Sequence, residues 1–278
     1  MKRFLRMLAL LGVLVPAAAA PVRAQVIISP PVLVMGTGDR FATMLVVNRT
    51  PQPQEITIDF RFGYPATRDN GALYMEYGDT MAEARHSIAP HVRAFPRRFM
   101  LQPGARQTVR FTARPPADLE EGGYWTRIFT TSVAAAAAPT AADTAGIQTQ
   151  IIFRLEQVTT LVYEAGEPTT GVRLAPLAVT ADRAAVRVET RLERQGSAPY
   201  FGTGRLRILR PDGTLAAEAQ RGVSLYFELL EHFEVDRAAL PPGSYVAELT
   251  YTVDREEIPT AASATAQPVT MRAPFTLD

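Results

Sequence analysis

The pattern of apolar and polar residues along this 278-residue chain is typical of β-strands. Residues 55–62 and 184–192 alternate between polar and apolar side chains, as strands with one buried face do. Further strands are predicted at 32–34, 41–47, 99–101, 107–111, 124–130, 205–209 and 246–251. Gly, Pro, Asn and Asp separate these short segments, and no segment has a clear helical period. The pattern therefore predicts an all-β protein of two immunoglobulin-like antiparallel β-sandwich domains in tandem.

Three segments between these strands define the predicted organisation. Residues 63–93 carry Pro65, Asn70-Gly71 and Pro90, and we expect them to be irregular. Residues 133–145 are alanine-rich, which predicts a mobile loop, and a long strand is predicted after it at 147–163. Residues 165–168 are typical of a linker, so we expect domains at 25–164 and 165–278. Pro242-Gly243-Ser244-Tyr245 predicts a tyrosine corner in the second domain.

The first 24 residues are predicted to be a secretory signal peptide. A basic start is followed by the apolar segment 7–15 and by small residues before Gln25, where we expect the mature chain to begin. Removing Lys2, Arg3, Arg6 and Arg23 changes the formal net charge from +1 to 1 − 4 = −3. Lys2 is also the single lysine of the chain. No later segment has the length and hydropathy of a membrane span, so we expect no insertion into a membrane.

The composition argues against an enzyme. Without cysteine, disulfides and thiolate metal sites are excluded. His86 and His91, with Glu83 nearby, do not supply the three or four converging ligands that a metal site needs. No nucleophile elbow, phosphate loop or dinucleotide fingerprint is present. We therefore predict no catalytic residues, no metal, no cofactor and no nucleic-acid partner.

The basic segment FPRRFMLQPGARQTVRF, residues 95–111, has two interpretations. The Pro103-Gly104 turn between two strands predicts a β-hairpin or a corner between sheets, with Arg106 and Arg110 on its outer face. That face is either a polyanion-binding surface or a solvated face. The acidic charge of the predicted mature chain favours the solvated face, and the other interpretation stays open.

The same segment and its continuation resemble the periplasmic pilus-chaperone family. The resemblance rests on Phe99-Met100-Leu101, Gln102-Pro103-Gly104, Gln107-Thr108-Val109-Arg110, and the loop from Pro116 to Glu121 before Tyr124-Trp125. It covers about residues 26–163. The family resemblance implies a periplasmic location and a chaperone that lends a β-strand to incomplete pilus or surface-fibre subunits and delivers them to an outer-membrane usher.

The resemblance also implies site residues. Ile151, Phe153 and Leu155 fall on the donor-strand positions that would fill a subunit groove, and this edge could also pair with a second copy of the chain. The alternative is that the three side chains belong to the core of an ordinary sandwich. The family lysine that holds the subunit carboxylate aligns with Thr160, and the family arginine falls near Pro30-Pro31. If a subunit carboxylate is still held, an arginine must hold it. Arg154 on the donor strand is favoured over Arg127 on the strand before the loop, because alternation puts Arg154 on the face opposite the three donor residues. The alternative is that Arg154 is a solvated strand arginine. An alternative function is a structural or adhesive cell-surface protein.

Overall fold

The computed structural model describes residues 26–135, 153–255 and 266–278. They form two antiparallel β-sandwiches, which confirms the predicted all-β, two-sandwich fold. The predicted signal peptide, the loop at 136–145, the strand segment 147–152 and with it Ile151 lie outside the described residues. The position of the domain boundary stays a prediction.

The first sandwich contains eleven of the strands in the described ranges. One sheet has the order β1-β3-β9-β7, the other has the order β2-β11-β10-β4-β8, and β5 and β6 form a separate hairpin. The bounds are β1 (Val26–Ser29), β2 (Val32–Gly36), β3 (Phe41–Asn48), β4 (Gln54–Arg61), β5 (Tyr64–Thr67), β6 (Leu73–Glu76), β7 (Val92–Phe95), β8 (Arg98–Leu101), β9 (Arg106–Ala113), β10 (Gly122–Ala134) and β11 (Arg154–Ala165). Met44, Ile58, Val109, Ile128 and Leu161 are among the buried side chains between the two sheets.

Two of the places where the chain passes from one sheet to the other bear on the site. At Pro30-Pro31 it passes from β1, which pairs with β3, to β2, which pairs in parallel with β11. At Gln102–Ala105 it passes from β8, the partner of β4, to β9, the partner of β3 and β7. Of the two predicted geometries for this segment, the corner between sheets is the correct one. Arg106 and Arg110 are exposed, as predicted.

Buried Asn48 holds this corner together. Its side-chain amide donates to Leu101 O at 2.9 Å and to Gln52 O at 2.8 Å. Its backbone carbonyl accepts from Gly104 N at 2.9 Å, where φ is +71° and glycine is favoured. A side chain from one sheet thereby satisfies backbone groups of the turn that joins the two sheets.

The prediction of irregular structure over residues 63–93 is wrong. The hairpin of β5 and β6 is followed by helix α1 (Thr80–His86), a 3₁₀ turn (Ala89–His91) and the start of β7. Asp79 caps the helix by accepting a hydrogen bond from Ala82 N at 2.9 Å. The helix has only 7 residues, too few to show a helical period in the sequence.

The second sandwich packs two four-stranded sheets. One joins β12, β14, β13 and β17, and the other has the order β16-β15-β18-β19. The bounds are β12 (Thr170–Leu174), β13 (Ala178–Ala181), β14 (Ala185–Gly196), β15 (Tyr200–Leu209), β16 (Leu215–Leu225), β17 (Glu228–Asp236), β18 (Gly243–Thr252) and β19 (Val269–Leu277). Tyr245 Oη donates to Pro241 O at 2.7 Å, so the predicted tyrosine corner is confirmed.

Candidate functional site

The candidate site is built on the long antiparallel ribbon of β10 and β11. Their register runs from Gly122 opposite Ala165 to Val133 opposite Arg154 without a bulge. Side chains alternate between the two faces of this ribbon. On β11, Thr159, Leu161 and Tyr163 face the core of the first sandwich, and Thr160 and Val162 face the opposite way, toward the second sandwich.

One edge of β11 is covered over only half of its length. β2 pairs with Thr160–Glu164, and the Thr160 amide donates to Pro31 O at 3.0 Å. From 153 to 159 the only strand that pairs with β11 in the described ranges is β10. Because amide directions alternate along a strand and the Thr160 amide points to the β2 side, those of Glu156 and Val158 point to the uncovered side. Among the described residues, this half of β11 is therefore a free sheet edge.

Phe153 and Leu155 lie on this free half, on the face that continues the core positions Thr159 and Leu161. Phe153 is 73% exposed, and Leu155 is half-buried. An exposed apolar side chain on an unpaired strand edge favours pairing with another chain. The third predicted donor residue, Ile151, lies outside the described residues.

Arg154 is on the opposite face of β11 and lies far from Thr160. The two residues are six positions apart, which is about 20 Å along a strand. The Arg154 side chain is 67% exposed, and its Nη2 forms an ion pair of 3.6 Å with Glu156 Oε2. An exposed pair of this kind is weak and leaves the guanidinium accessible.

Arg127 is directly opposite Thr160 across the ribbon. Its Nη1 donates to Thr160 Oγ1, and its Nε donates to Gly63 O at 2.9 Å. The guanidinium carbon lies 4.8 Å from the centre of the Tyr226 ring, so a side chain of the second sandwich covers it. Arg127 is 7% exposed, and its Nη2 is buried without a hydrogen-bond partner among the described residues.

A second arginine adjoins Arg127 on the same face. Arg61 of β4 is the cross-strand neighbour of Arg127, and its guanidinium carbon lies 4.4 Å from the centre of the Phe129 ring. Arg61 is exposed, and no ion pair joins it to a carboxylate in the part of the chain that the structure describes. Two adjacent cations, one with an unsatisfied donor, favour an anionic group at this place.

Aromatic rings join the two sandwiches next to Arg127. Trp125 contacts Tyr226 and Phe227, with ring centres 4.8 Å and 5.7 Å away, and Trp125 Nε1 donates to Gly63 O at 3.1 Å. His86 of α1 stacks on Trp125 at 5.0 Å. Burial lowers the pKa of His86, and the charges of Arg194 and Arg85 lower it further. The neutral imidazole is therefore the form that fits this interface.

Sequence reasoning missed most of this interface. Arg127 was considered only as the second choice to Arg154, and Tyr226 and Phe227 were not identified as contacts between sandwiches. The signal available was the pair of adjacent aromatic residues Tyr226-Phe227 before a strand. Their partners lie about 100 positions away in the chain, so the contact itself leaves no local pattern.

The described residues show neither a metal site nor a membrane span. No group of three or more His, Cys, Asp or Glu residues within 26–135, 153–255 and 266–278 could hold a metal ion. Over the same ranges, no helix is long and apolar enough to cross a bilayer.

Comparison with solved structures finds chains to which this chain is similar. The YadV chaperone aligns over 91% of this chain and 100% of its own, with 10% identity and a TM-score of 0.44. The structure of the Salmonella enterica SafA pilin in complex with the SafB chaperone aligns over 91% of this chain and 96% of its own, with 11% identity and a TM-score of 0.44. The Pseudomonas aeruginosa CupB2 chaperone aligns over 90% of this chain and 100% of its own, with 11% identity and a TM-score of 0.41. No protein-family model and no curated protein matches the sequence.

Proposed function

We propose that this protein is a periplasmic chaperone that binds incomplete immunoglobulin-like pilus or surface-fibre subunits by donating β11. The observation that carries the proposal is the edge of β11 before Thr160, where the pairing with β2 begins. In the described ranges no strand pairs with this edge, and apolar Phe153 and Leu155 share one face beside it. A client lacking its last strand would pair with this edge through main-chain hydrogen bonds, and the apolar side chains would fill its open groove. Binding of this kind transforms nothing chemically.

Arg127 is the proposed anchor for the client's terminal carboxylate. It reaches Thr160, the position that aligns with the family lysine, and one of its donor nitrogens has no partner among the described residues. A guanidinium can bind a carboxylate with two hydrogen bonds. Arg61 adds a second positive charge beside it. Arg154 was predicted from the sequence, but its distance from Thr160 favours Arg127.

The same edge is expected to cause self-association when no client is bound. Without a client, two copies of the chain can pair through their free β11 edges, because nothing in the described ranges covers them. Delivery of a bound client to an outer-membrane usher completes the proposed role.

Site-directed photo-crosslinking in the native periplasm tests strand donation. A photoreactive residue at Leu155 is expected to crosslink to a subunit with an incomplete immunoglobulin-like fold, identified by mass spectrometry. The matched control is the same residue at Thr108, on the outer face of the other sheet. The proposal is wrong if Leu155 gives no crosslinked subunit or if both positions give the same products.

A further inference from the structure

The outer face of β9 carries arginine and threonine in strict alternation. Arg106, Thr108, Arg110, Thr112 and Arg114 all lie on this face, and we name them the arginine–threonine row. Arg114 continues the strand, because its amide donates to His91 O at 2.8 Å. Neighbouring arginines of the row are four residues apart, or about 13 Å, and the whole row spans about 27 Å.

The three guanidiniums of the row have no acidic partner within the part of the chain that the structure describes. Among the residues that the structure describes, no carboxylate oxygen lies within 4.0 Å of Arg106, Arg110 or Arg114. Two other arginines of this sandwich do have acidic partners: Arg97 pairs with Asp59 at 2.6 Å, and Arg98 pairs with Glu55. The row is therefore an uncompensated line of positive charge, although the predicted mature chain is acidic as a whole.

Exposed aromatic rings stand on both sides of the row. Phe95 of β7 is opposite Arg110 and is 78% exposed, and Phe41 of β3 is opposite Thr112 and is 66% exposed. One end of the row borders a surface pocket of about 430 Å³ lined by Pro90, His91, Arg93, Thr112 and Arg114. The Arg93 guanidinium is fixed there by hydrogen bonds of 3.0 Å to Pro90 O and Val92 O.

We propose that the arginine–threonine row binds a linear anionic polysaccharide. Guanidiniums bind carboxylate, sulfate or phosphate groups with two hydrogen bonds, and threonine hydroxyls can donate to and accept from sugar hydroxyls. The flat rings of Phe41 and Phe95 offer apolar surface to the faces of sugar rings. A straight row of separated charges fits an extended polymer better than a compact anion.

This site is separate from the proposed client edge. β9 belongs to the sheet β1-β3-β9-β7, whereas β11 belongs to the other sheet of the sandwich. The two proposals can therefore fail independently. A surface that holds an anionic polysaccharide would keep the protein near a charged glycan layer while the opposite sheet remains free.

Binding of labelled heparin and polygalacturonate oligosaccharides to the purified full chain tests the proposal. Neutral dextran, poly-L-glutamate and vesicles containing phosphatidylglycerol serve as comparison probes. We expect binding to one or both anionic oligosaccharides, none to dextran, and an affinity that falls as salt rises because bound counterions are released from the polymer. Binding to poly-L-glutamate or vesicles but to neither oligosaccharide would assign the face to an acidic protein or a membrane and would overturn the proposal.

Matched variants localise the binding. Arg110→Ser is expected to weaken oligosaccharide binding about tenfold at low salt and to reduce the slope of log K against log salt by about one. Arg98→Ser removes the same charge from an arginine that already has a partner, and we expect it to bind nearly as the parent does. Equal losses in both variants would mean that overall charge, not the row, attracts the polymer.

The aromatic contribution has its own control. Phe95→Ser should weaken oligosaccharide binding severalfold, whereas Met81→Ser, which removes an exposed apolar side chain from α1, should not. Both residues are exposed, so neither variant should alter the thermal melt. If Phe95→Ser binds the oligosaccharides as tightly as the parent, Phe95 does not contact sugar rings, and the proposed stacking surface is wrong.

Discussion

Replacing Phe153 with Ser separates strand donation from an ordinary sandwich strand. Fully burying a phenylalanine side chain contributes about 2.5 kcal/mol. Because Phe153 is 73% exposed, only about a quarter of this burial exists in the free protein, so the variant should lose about 0.7 kcal/mol of folding free energy. The remaining three quarters become buried only in a client groove, so client binding should lose about 1.8 kcal/mol, or roughly twentyfold in Kd.

Leu161→Ala is the matched control on the same strand and face. Leu161 is fully buried in the first core, so its truncation should cost about 3 kcal/mol of folding free energy. In a sandwich of this size, thermal melts should show a fall in Tm of about 10 °C for Leu161→Ala and about 2 °C for Phe153→Ser. If Phe153→Ser melts as low as Leu161→Ala, Phe153 belongs to the protein's own core and strand donation through this face is wrong.

Three further predictions concern the anchor, the edge and the interface. Arg127→Ala should abolish client binding measured by co-purification, whereas Arg154→Ala should leave most of it; the reverse result would return the anchor to Arg154. Val158→Lys places a charge on the free edge and should shift any dimer to monomer in sedimentation experiments; an unchanged dimer would place self-association elsewhere. Because the pKa of His86 is lowered in the folded state, its stabilising contribution is complete above about pH 6.5 and is lost as pH falls below it. Between pH 7.5 and 5.5, the Tm of His86→Phe should therefore fall less than the Tm of the parent. An equal fall in both proteins would contradict the burial of the neutral imidazole.

Local patterns in the sequence predicted the strands well. The alternation at 107–111 became β9, and Pro242-Gly243-Ser244-Tyr245 became a tyrosine corner, because both depend on neighbouring residues. Helix α1 was missed because its 7 residues are held by Asp79 and by the stacking of His86 on Trp125, which is a tertiary contact. A short helix that is stabilised by tertiary contacts is not predicted by the pattern of apolar residues along the chain.

The site was predictable only where it depends on strand period. Alternation placed Phe153 and Leu155 on one face and Arg154 on the other. The position of Arg127 opposite Thr160 depends on the register of two strands separated by a long connection. The Tyr226 ring over Arg127 depends on how the two sandwiches pack, so neither feature can be derived from spacing along the chain.

Amide hydrogen exchange at Glu156 and Val158 tests strand donation most directly. Their amides point away from β10, and no described strand pairs with that side of β11 at these two positions, because the pairing with β2 begins at Thr160. In the free protein we expect both amides to exchange quickly, while those of Leu155 and Gln157, which point toward β10, are protected. The client identified by photo-crosslinking is then co-expressed with this protein. In that complex, the amides of Glu156 and Val158 should become protected as strongly as those of Leu155 and Gln157. Protection that is already present in the free monomer, or exchange that stays fast in the complex, would contradict strand donation.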